Sequence, residues 1–296
     1  MTTLALTRTT PPGRAVLAPA AVFAAAWLAS AGVLVASGQG FPVFETLIGA
    51  AYLALAALTI RITSDAPFTR AAAGRGRLVA QVAVVAAVVA LTAWNGILFH
   101  EVPGAEPLPV WTALVDALGR AGDAVSGNGN YVANPVTYAV LPLLLLVLLG
   151  ARPRDLGLVR GHRTGRVILL WAAIPVGFLA IAVATGQLTL SRVLNRLVSN
   201  AMQNGPWEEF LLRGALQTRL RALLSPAWAV VIQALVFGAW HVGLGYTTTN
   251  GAGLLPALAI SIVHQGVIGL AFGIVFERTR SLIAPSVIHI LANTMG

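Results

Sequence analysis

The sequence predicts an all-α, polytopic membrane protein with eight or nine transmembrane helices. Hydrophobic residues make up 57% of the 296 residues, charged residues make up 10%, and the mean hydropathy is +0.81. Soluble domains contain about 25% charged residues, so this chain has too few to cover a water-exposed surface. Runs of about 20 apolar residues recur along it, and each is long enough to span a bilayer. The pattern excludes a soluble enzyme, a disordered chain and a nucleic-acid-binding protein.

Seven long apolar segments and two short ones account for the predicted helices. The long segments are residues 15–37, 43–60, 78–99, 131–151, 167–188, 226–244 and 254–276. The short ones, 206–222 and 281–296, contain polar residues, while residues 188–204 form an amphipathic pattern suited to the membrane interface. We therefore expect a cytoplasmic tail (1–14), N-terminal transmembrane helices (15–188) and a C-terminal helical core (189–296).

The arginines predict how the chain is oriented. With a cytoplasmic N-terminus, fifteen arginines fall on the cytoplasmic side, and only Arg120, Arg192 and Arg196 fall outside. This bias is the one that the positive-inside rule describes. The fifteen are Arg8, Arg14, Arg61, Arg70, Arg75, Arg77, Arg152, Arg154, Arg160, Arg163, Arg166, Arg219, Arg221, Arg278 and Arg280. The sequence thus predicts a multi-pass protein of the cell membrane.

Missing residue types narrow the chemistry. The chain has no cysteine and no lysine, which excludes disulfides, thiol nucleophiles, cysteine–zinc sites, P-loop lysines and lysine Schiff bases. The sequence also lacks His-Glu-x-x-His and Gly-x-Ser-x-Gly. Any hydrolytic chemistry must therefore come from the remaining glutamates, histidines and amides.

The first polar motif inside an apolar region is Pro206–Trp207–Glu208–Glu209–Phe210–Leu211–Leu212–Arg213. Charged residues within a membrane are costly and mark functional sites. Glu209 and Arg213 are four residues apart and share a helix face, whereas Glu208 points about 100° away around the helix. A desolvated carboxylate suits a general base. The alternative is a helix start, where carboxylates favour the helix dipole.

Two further motifs place polar residues at a similar depth on later helices. Phe237 and His241 are four residues apart on one helix, and His289 and Asn293 have the same spacing on another. Imidazole and amide groups suit the stabilisation of an oxyanion. The alternatives are a histidine bonded to a backbone carbonyl and an ordinary interhelical polar contact. His264 falls at a similar depth and is a candidate for a supporting role.

Taken in order, these three motifs resemble the CAAX protease and bacteriocin-processing (CPBP, or Abi) family, which includes prenyl-protein endopeptidases. The resemblance covers about residues 206–296 and implies that the C-terminal core is catalytic. It implies that Glu208, helped by His241, activates the attacking water and that His289 and Asn293 stabilise the oxyanion. It also implies that Glu209 pairs with Arg213. A zinc-dependent version, with the glutamate and histidines as ligands, stays open, so zinc is the cofactor to be tested.

The resemblance implies a peptide or membrane-protein substrate. A prenylated protein is the family's usual substrate, whereas a bacterial origin would favour a peptide, a bacteriocin precursor or another membrane protein. The family is expected to open toward the cytosol, although the arginine pattern places the polar cluster near or beyond mid-membrane. A proton-coupled transporter and a non-catalytic immunity or scaffold protein are the alternatives from other classes.

Overall fold

The computed structural model describes residues 14–64 and 73–295, and these residues fold into helices joined by short loops. The helices are α1 (Arg14–Ala36), α2 (Val43–Ile62), α3 (Arg75–Phe99), α4 (Pro109–Ser126), α5 (Asn130–Leu148), α6 (Thr164–Ala184), α7 (Leu190–Gln203), α8 (residues 205–223), α9 (Pro226–Trp240), α10 (Val242–Thr248), α11 (Leu254–Thr279) and α12 (Ile283–Met295). Residues 1–13 of the expected tail, with Arg8, lie outside the described residues, as does Arg70, whereas Arg14 is the first residue of α1. The predicted all-α fold is confirmed.

Six of these helices are long and apolar enough to cross a membrane: α1, α2, α3, α5, α6 and α11. A seventh span results if α9 and α10, which meet at a bend of 52°, are taken together. The sequence-based count of eight or nine is approximate because it included two short segments. Helix α12 has 13 residues, or about 20 Å against a hydrocarbon thickness of about 30 Å. Helix α8 carries five charged residues.

The C-terminal helices form the centre of the bundle. In the most apolar window of α11, 61% of residues are buried, compared with 17% in α1 and in α2. The first two helices therefore expose most of their apolar surface at the periphery, as lipid-facing helices do. Helix α11 is covered by α9, α2 and α12, so groups on its inner face are shielded from lipid.

Glycines allow the broken span α9–α10 to pack closely at the bend. A Cβ at Gly243 would collide with the backbone carbonyl of Gly96 on α3. A Cβ at Gly245 would collide with the carbonyl of Ala257 and the hydroxyl of Ser261 on α11. Small residues let membrane helices approach at backbone distance. These contacts hold the bend, and with it His241, between α3 and α11.

The loops rich in arginine meet at one end of the bundle. Arg163 Nη1 donates to the carbonyl of Ile62 at 2.9 Å, and Arg219 Nη2 donates to that of Asp155 at 2.9 Å. The backbone N–H of His162 donates to the carbonyl of Thr279. We call this the arginine-rich end. It is formed by the adjoining ends of α2 and α3 and by the loops between α5 and α6, α8 and α9, and α11 and α12.

Two amphipathic helices lie at the opposite end. Helix α7 lies within the predicted amphipathic segment. It is capped by Thr189, whose hydroxyl accepts from the backbone N–H of Arg192. A bond from Arg196 Nη1 to the carbonyl of Thr294 ties it to the last turn of α12. Helix α4 lies between the predicted segments 78–99 and 131–151, where the sequence predicted no helix. Its Trp111 donates to Asn95 Oδ1 on α3 at 2.8 Å, which docks the helix against the bundle.

Candidate active site

A close helix contact positions the two adjacent glutamates. Helix α8 begins with Gly205 and Pro206, and proline suits a first turn because it has no N–H to satisfy. A Cβ at Gly205 would lie 2.7 Å from the side chain of Ile290. Glycine therefore lets the start of α8 approach α12 closely. The contact brings Glu208 and Glu209 beside the helix that carries His289.

A π-helical segment, Phe210–Gln217, follows the glutamates directly. Such widened turns occur frequently at functional sites because they shift the faces that side chains occupy. Every residue of this segment is buried. The segment holds Arg213 in the protein interior.

Glu209 is the centre of a buried charged network. Its Oε1 accepts from Arg213 Nη1 at 3.0 Å and from His289 Nδ1 at 2.9 Å. The side chains of Glu209 and Arg213 are fully buried. Arg213 Nη2 also donates to the carbonyl of Gly269 at 3.3 Å, and the guanidinium lies 4.4 Å from the centre of the Phe237 ring. The predicted pair of Glu209 and Arg213 therefore forms, and it also orients a histidine.

Glu208 lies between the two histidines. Its Oε2 is 3.8 Å from His241 Nε2 and 3.8 Å from His289 Nε2. These distances are too long for direct hydrogen bonds, and the same oxygen is buried with no hydrogen-bond partner. A buried carboxylate oxygen without a partner is energetically costly, which is typical of a site built for a bound molecule.

The other ring nitrogen of each histidine fixes its orientation. His241 Nδ1 lies 2.8 Å from the carbonyl oxygen of Phe237, which can only accept, so Nδ1 carries the proton. His289 Nδ1 donates in the same way to the Glu209 carboxylate. Both Nε2 atoms therefore face Glu208. His241 is therefore bonded to a backbone carbonyl through Nδ1, as one alternative predicted. Its Nε2 is nevertheless directed at Glu208.

These residues line a cavity of about 430 Å³. Glu208, His241, His289 and Asn293 all contribute to its wall. His289 and Asn293 are four residues apart on α12 and share a face, so the amide lies one turn beyond the imidazole. The structure thus brings four of the six predicted site residues to one cavity, with Glu209 and Arg213 buried behind them.

Several residues that line the cavity were not predicted from the sequence. Tyr138 lines the cavity, and its ring packs edge-on against Trp240 with the centroids 5.2 Å apart. Asn95, Asn134 and Asn204 add amide groups to the wall. Nothing in an isolated span distinguishes such residues, although an asparagine in an apolar helix is a weak signal of a polar cavity.

His264 does not belong to the cavity wall. Its neighbour Gln265 lines the cavity, whereas His264 itself does not. At the rim, outside the α3 span, burial lowers the pKa of His100 below its ordinary value. This rim histidine is therefore neutral over a wider pH range than a free imidazole.

The residue types at the site are ones that bind zinc, but their positions do not form a zinc site. A carboxylate and two Nε2 atoms are ordinary zinc ligands, and both histidines have the supporting Nδ1 bonds that metal sites use. Within residues 14–64 and 73–295, however, no group of three or more histidine, aspartate or glutamate residues is placed to hold a metal ion. We therefore derive no catalytic step from a metal.

Comparison with known proteins supports a membrane protease. Residues 190–295 match the family model "Type II CAAX prenyl endopeptidase Rce1-like". The match spans just over a third of the chain and includes α8, α9, α11 and α12, which supply the cavity's acidic, imidazole and amide groups. No curated protein and no solved structure matches the chain.

The family resemblance that the three motifs indicated is confirmed over this region. With its six helices long and apolar enough to cross a membrane, the chain has the architecture of a multi-pass membrane protein, and its C-terminal region is similar to a family of CAAX-type proteases.

Proposed function

We propose that the chain is an intramembrane endopeptidase in which Glu208 activates a water molecule. The observation that carries this proposal is the placement of the unpartnered Glu208 Oε2 at 3.8 Å from both Nε2 atoms. A water oxygen about 2.8 Å from both Glu208 Oε2 and a histidine Nε2 would bridge these two atoms, with an angle of about 85° between its two hydrogen bonds. The match of residues 190–295 supports residues 189–296 as the catalytic core.

In the proposed reaction, the bridging water lies between Glu208 and His241. The Glu208 carboxylate takes one proton as the water oxygen forms a bond to the carbonyl carbon of the peptide. The carbonyl oxygen becomes an oxyanion, which the Asn293 amide and the His289 Nε2–H stabilise. The C–N bond then breaks, and the proton held by Glu208 goes to the leaving nitrogen. The products are a carboxyl group and an amine.

His289 can donate to an oxyanion only if Nε2 also carries a proton. Its Nδ1 proton is held by the Glu209 carboxylate, and a neighbouring carboxylate favours the doubly protonated imidazolium. Glu208 at 3.8 Å from Nε2 acts in the same direction. We therefore assign Glu209 as a positioning residue for His289, a role beyond its pairing with Arg213.

The test is N-terminal peptide profiling of membranes from cells that express the native chain or Glu208→Gln. The matched control is Glu45→Gln, which changes a glutamate at the start of α2, away from the cavity. We expect new N-termini with the native chain and Glu45→Gln and none with Glu208→Gln. Equal profiles for all three at equal expression would contradict proteolysis and favour the scaffold alternative.

Two further measurements separate the remaining alternatives. A zinc-dependent enzyme predicts stoichiometric zinc in the purified native protein, less zinc in His241→Ala, and loss of cleavage with a chelator. The glutamate–water route predicts cleavage that resists the chelator. A proton-coupled transporter predicts Glu208-dependent proton flux in proteoliposomes without new N-termini.

A further inference from the structure

The two ends of the bundle differ strongly in charge. Among the described residues, the arginine-rich end carries two acidic residues, Asp155 and Glu277, and twelve arginines: Arg61, Arg75, Arg77, Arg152, Arg154, Arg160, Arg163, Arg166, Arg219, Arg221, Arg278 and Arg280. The opposite end has Arg120, Arg192 and Arg196 together with Glu45, Glu101, Glu106, Asp116 and Asp123. Arginines in short loops next to spans stay in the cytoplasm. The arginine-rich end is therefore the cytoplasmic one.

The cavity is built from the other ends of its helices. Asn95 is in the last turns of α3 and His100 directly follows that helix. Asn130 begins α5, Asn204 precedes α8, and Asn293 is in the last turn of α12. Each of these positions lies at the arginine-poor end. None of the described residues lining the cavity comes from the loops that form the arginine-rich end.

Packed apolar side chains close the cytoplasmic side. Below the site, Leu211, Leu212 and Leu216 of α8 pack with Leu156 and Phe276, all of them buried. Arg213, one turn below Glu209, is fully buried as well. A polypeptide arriving at the arginine-rich end would therefore have to unpack this core before it reached Glu208.

We propose that the substrate is a polypeptide segment exposed on the extracytoplasmic face, which reaches Glu208 through this cavity. The proposal rests on the proposed function and specifies its substrate class. The wall offers several neutral amides, from Asn95, Asn130, Asn134 and Asn204, and amides pair well with the N–H and C=O groups of an extended peptide. A cytoplasmic prenylated C-terminus would face the closed side of the bundle.

The absence of cysteine from the chain makes the proposal directly testable. Three single-cysteine variants are labelled with a membrane-impermeant maleimide on intact cells: Ser126→Cys at the end of α4, Asn130→Cys at the cavity mouth and Ser64→Cys at the arginine-rich end. All three positions are exposed. We expect the first two to react from outside and Ser64→Cys to react only after the membrane is permeabilised.

Two labelling outcomes would overturn the proposal. If Ser64→Cys reacts in intact cells and the other two do not, the cavity opens to the cytoplasm. If Ser126→Cys and Ser64→Cys both react, the chain has no single orientation. Because labelling does not depend on cleavage, a failure of the proposed protease function would leave this result unchanged.

An activity experiment links the orientation to the substrate. A bulky impermeant maleimide on Asn130→Cys should abolish Glu208-dependent cleavage in intact cells, and permeabilised cells with labelled Ser64→Cys should retain it. Cleavage that survives labelling of Asn130→Cys would contradict access through this mouth. In right-side-out vesicles, the same peptide added free or with a lipid anchor then shows whether the segment comes from an exported peptide or from a membrane-bound protein.

Discussion

Removing one charge of the buried pair between Glu209 and Arg213 should destabilise the fold by a measurable amount. Breaking a buried ion pair from one side costs about 3–5 kcal/mol because the remaining charge stays buried. Here each partner keeps other contacts: Arg213 keeps the carbonyl of Gly269 and the Phe237 ring, and Glu209 keeps His289. We therefore expect about 3 kcal/mol for Glu209→Gln and for Arg213→Gln.

The double variant Glu209→Gln/Arg213→Gln should lose much less than the sum of the single losses. With both charges gone, the two neutral amides can bond to each other and leave no buried ion. We expect a total loss of about 3 kcal/mol rather than about 6, and thus a coupling energy of about 3 kcal/mol in a double-mutant cycle.

The assay is equilibrium unfolding of the purified protein in mixed micelles. Asp155→Asn is the control. Its ion-pair partner Arg154 lies 4.0 Å away and has a side chain that is 67% exposed, and such pairs contribute about 0–1 kcal/mol. The coupling would be refuted if the sum of the two single-variant losses came within about 0.5 kcal/mol of the loss measured for the double variant.

Activity separates the structural role of Glu209 from its positioning role. The double variant should be about as stable as either single variant and should still show a lower kcat, with KM changed less, because a neutral amide does not favour the His289 imidazolium. Native-like Glu208-dependent cleavage by the double variant would show that Glu209 acts on the fold alone.

Three further substitutions test other parts of the structure. Gly245→Ala should lower the free energy of unfolding by about 1–3 kcal/mol because its Cβ meets the backbone of α11. The control is Gly177→Ala, which has open space around its Cβ and should be neutral or stabilising by up to about 1 kcal/mol. Unfolding in micelles measures both variants. Asn293→Ala should lower kcat by about 10²–10³-fold with little change in KM, and an equal loss in KM would contradict an oxyanion role. Trp171→Phe should cost at least about 1 kcal/mol because the Nε1–H bond to Thr59, 2.8 Å long, is lost inside the protein, and an unchanged unfolding curve would contradict that contact.

The sequence predicted the candidate site residues because polar groups are conspicuous in apolar helices. Glu208, His241 and His289 stand among leucine, phenylalanine and alanine, where a polar side chain is expensive. Helical spacing alone then placed Glu209 with Arg213 and His289 with Asn293. These inferences need only local geometry, which an α-helix fixes in advance.

What the sequence missed depends on contacts between distant segments. The bond between Glu209 and His289 joins residues 80 positions apart and requires the close approach that Gly205 allows. Helix α4 was not among the predicted segments because it contains Asp116, Arg120 and Asp123 and because its docking relies on Trp111 reaching α3. The break at His241 likewise follows from glycines in α10 that pack against α3 and α11. Helical periodicity contains no information on these pairings.

The adjacent glutamates show how one helix gives two neighbouring carboxylates different environments. A rotation of about 100° between consecutive residues directs Glu209 into the protein, where Arg213 and His289 share its Oε1. The same rotation directs Glu208 to the cavity, where its Oε2 has no hydrogen-bond partner. A general base needs an oxygen that is open to the reacting water, and the Glu208 Oε2 is such an atom. The buried pair of Glu209 and Arg213 contributes by holding His289 beside it, although it does not itself take part in the proposed proton transfer.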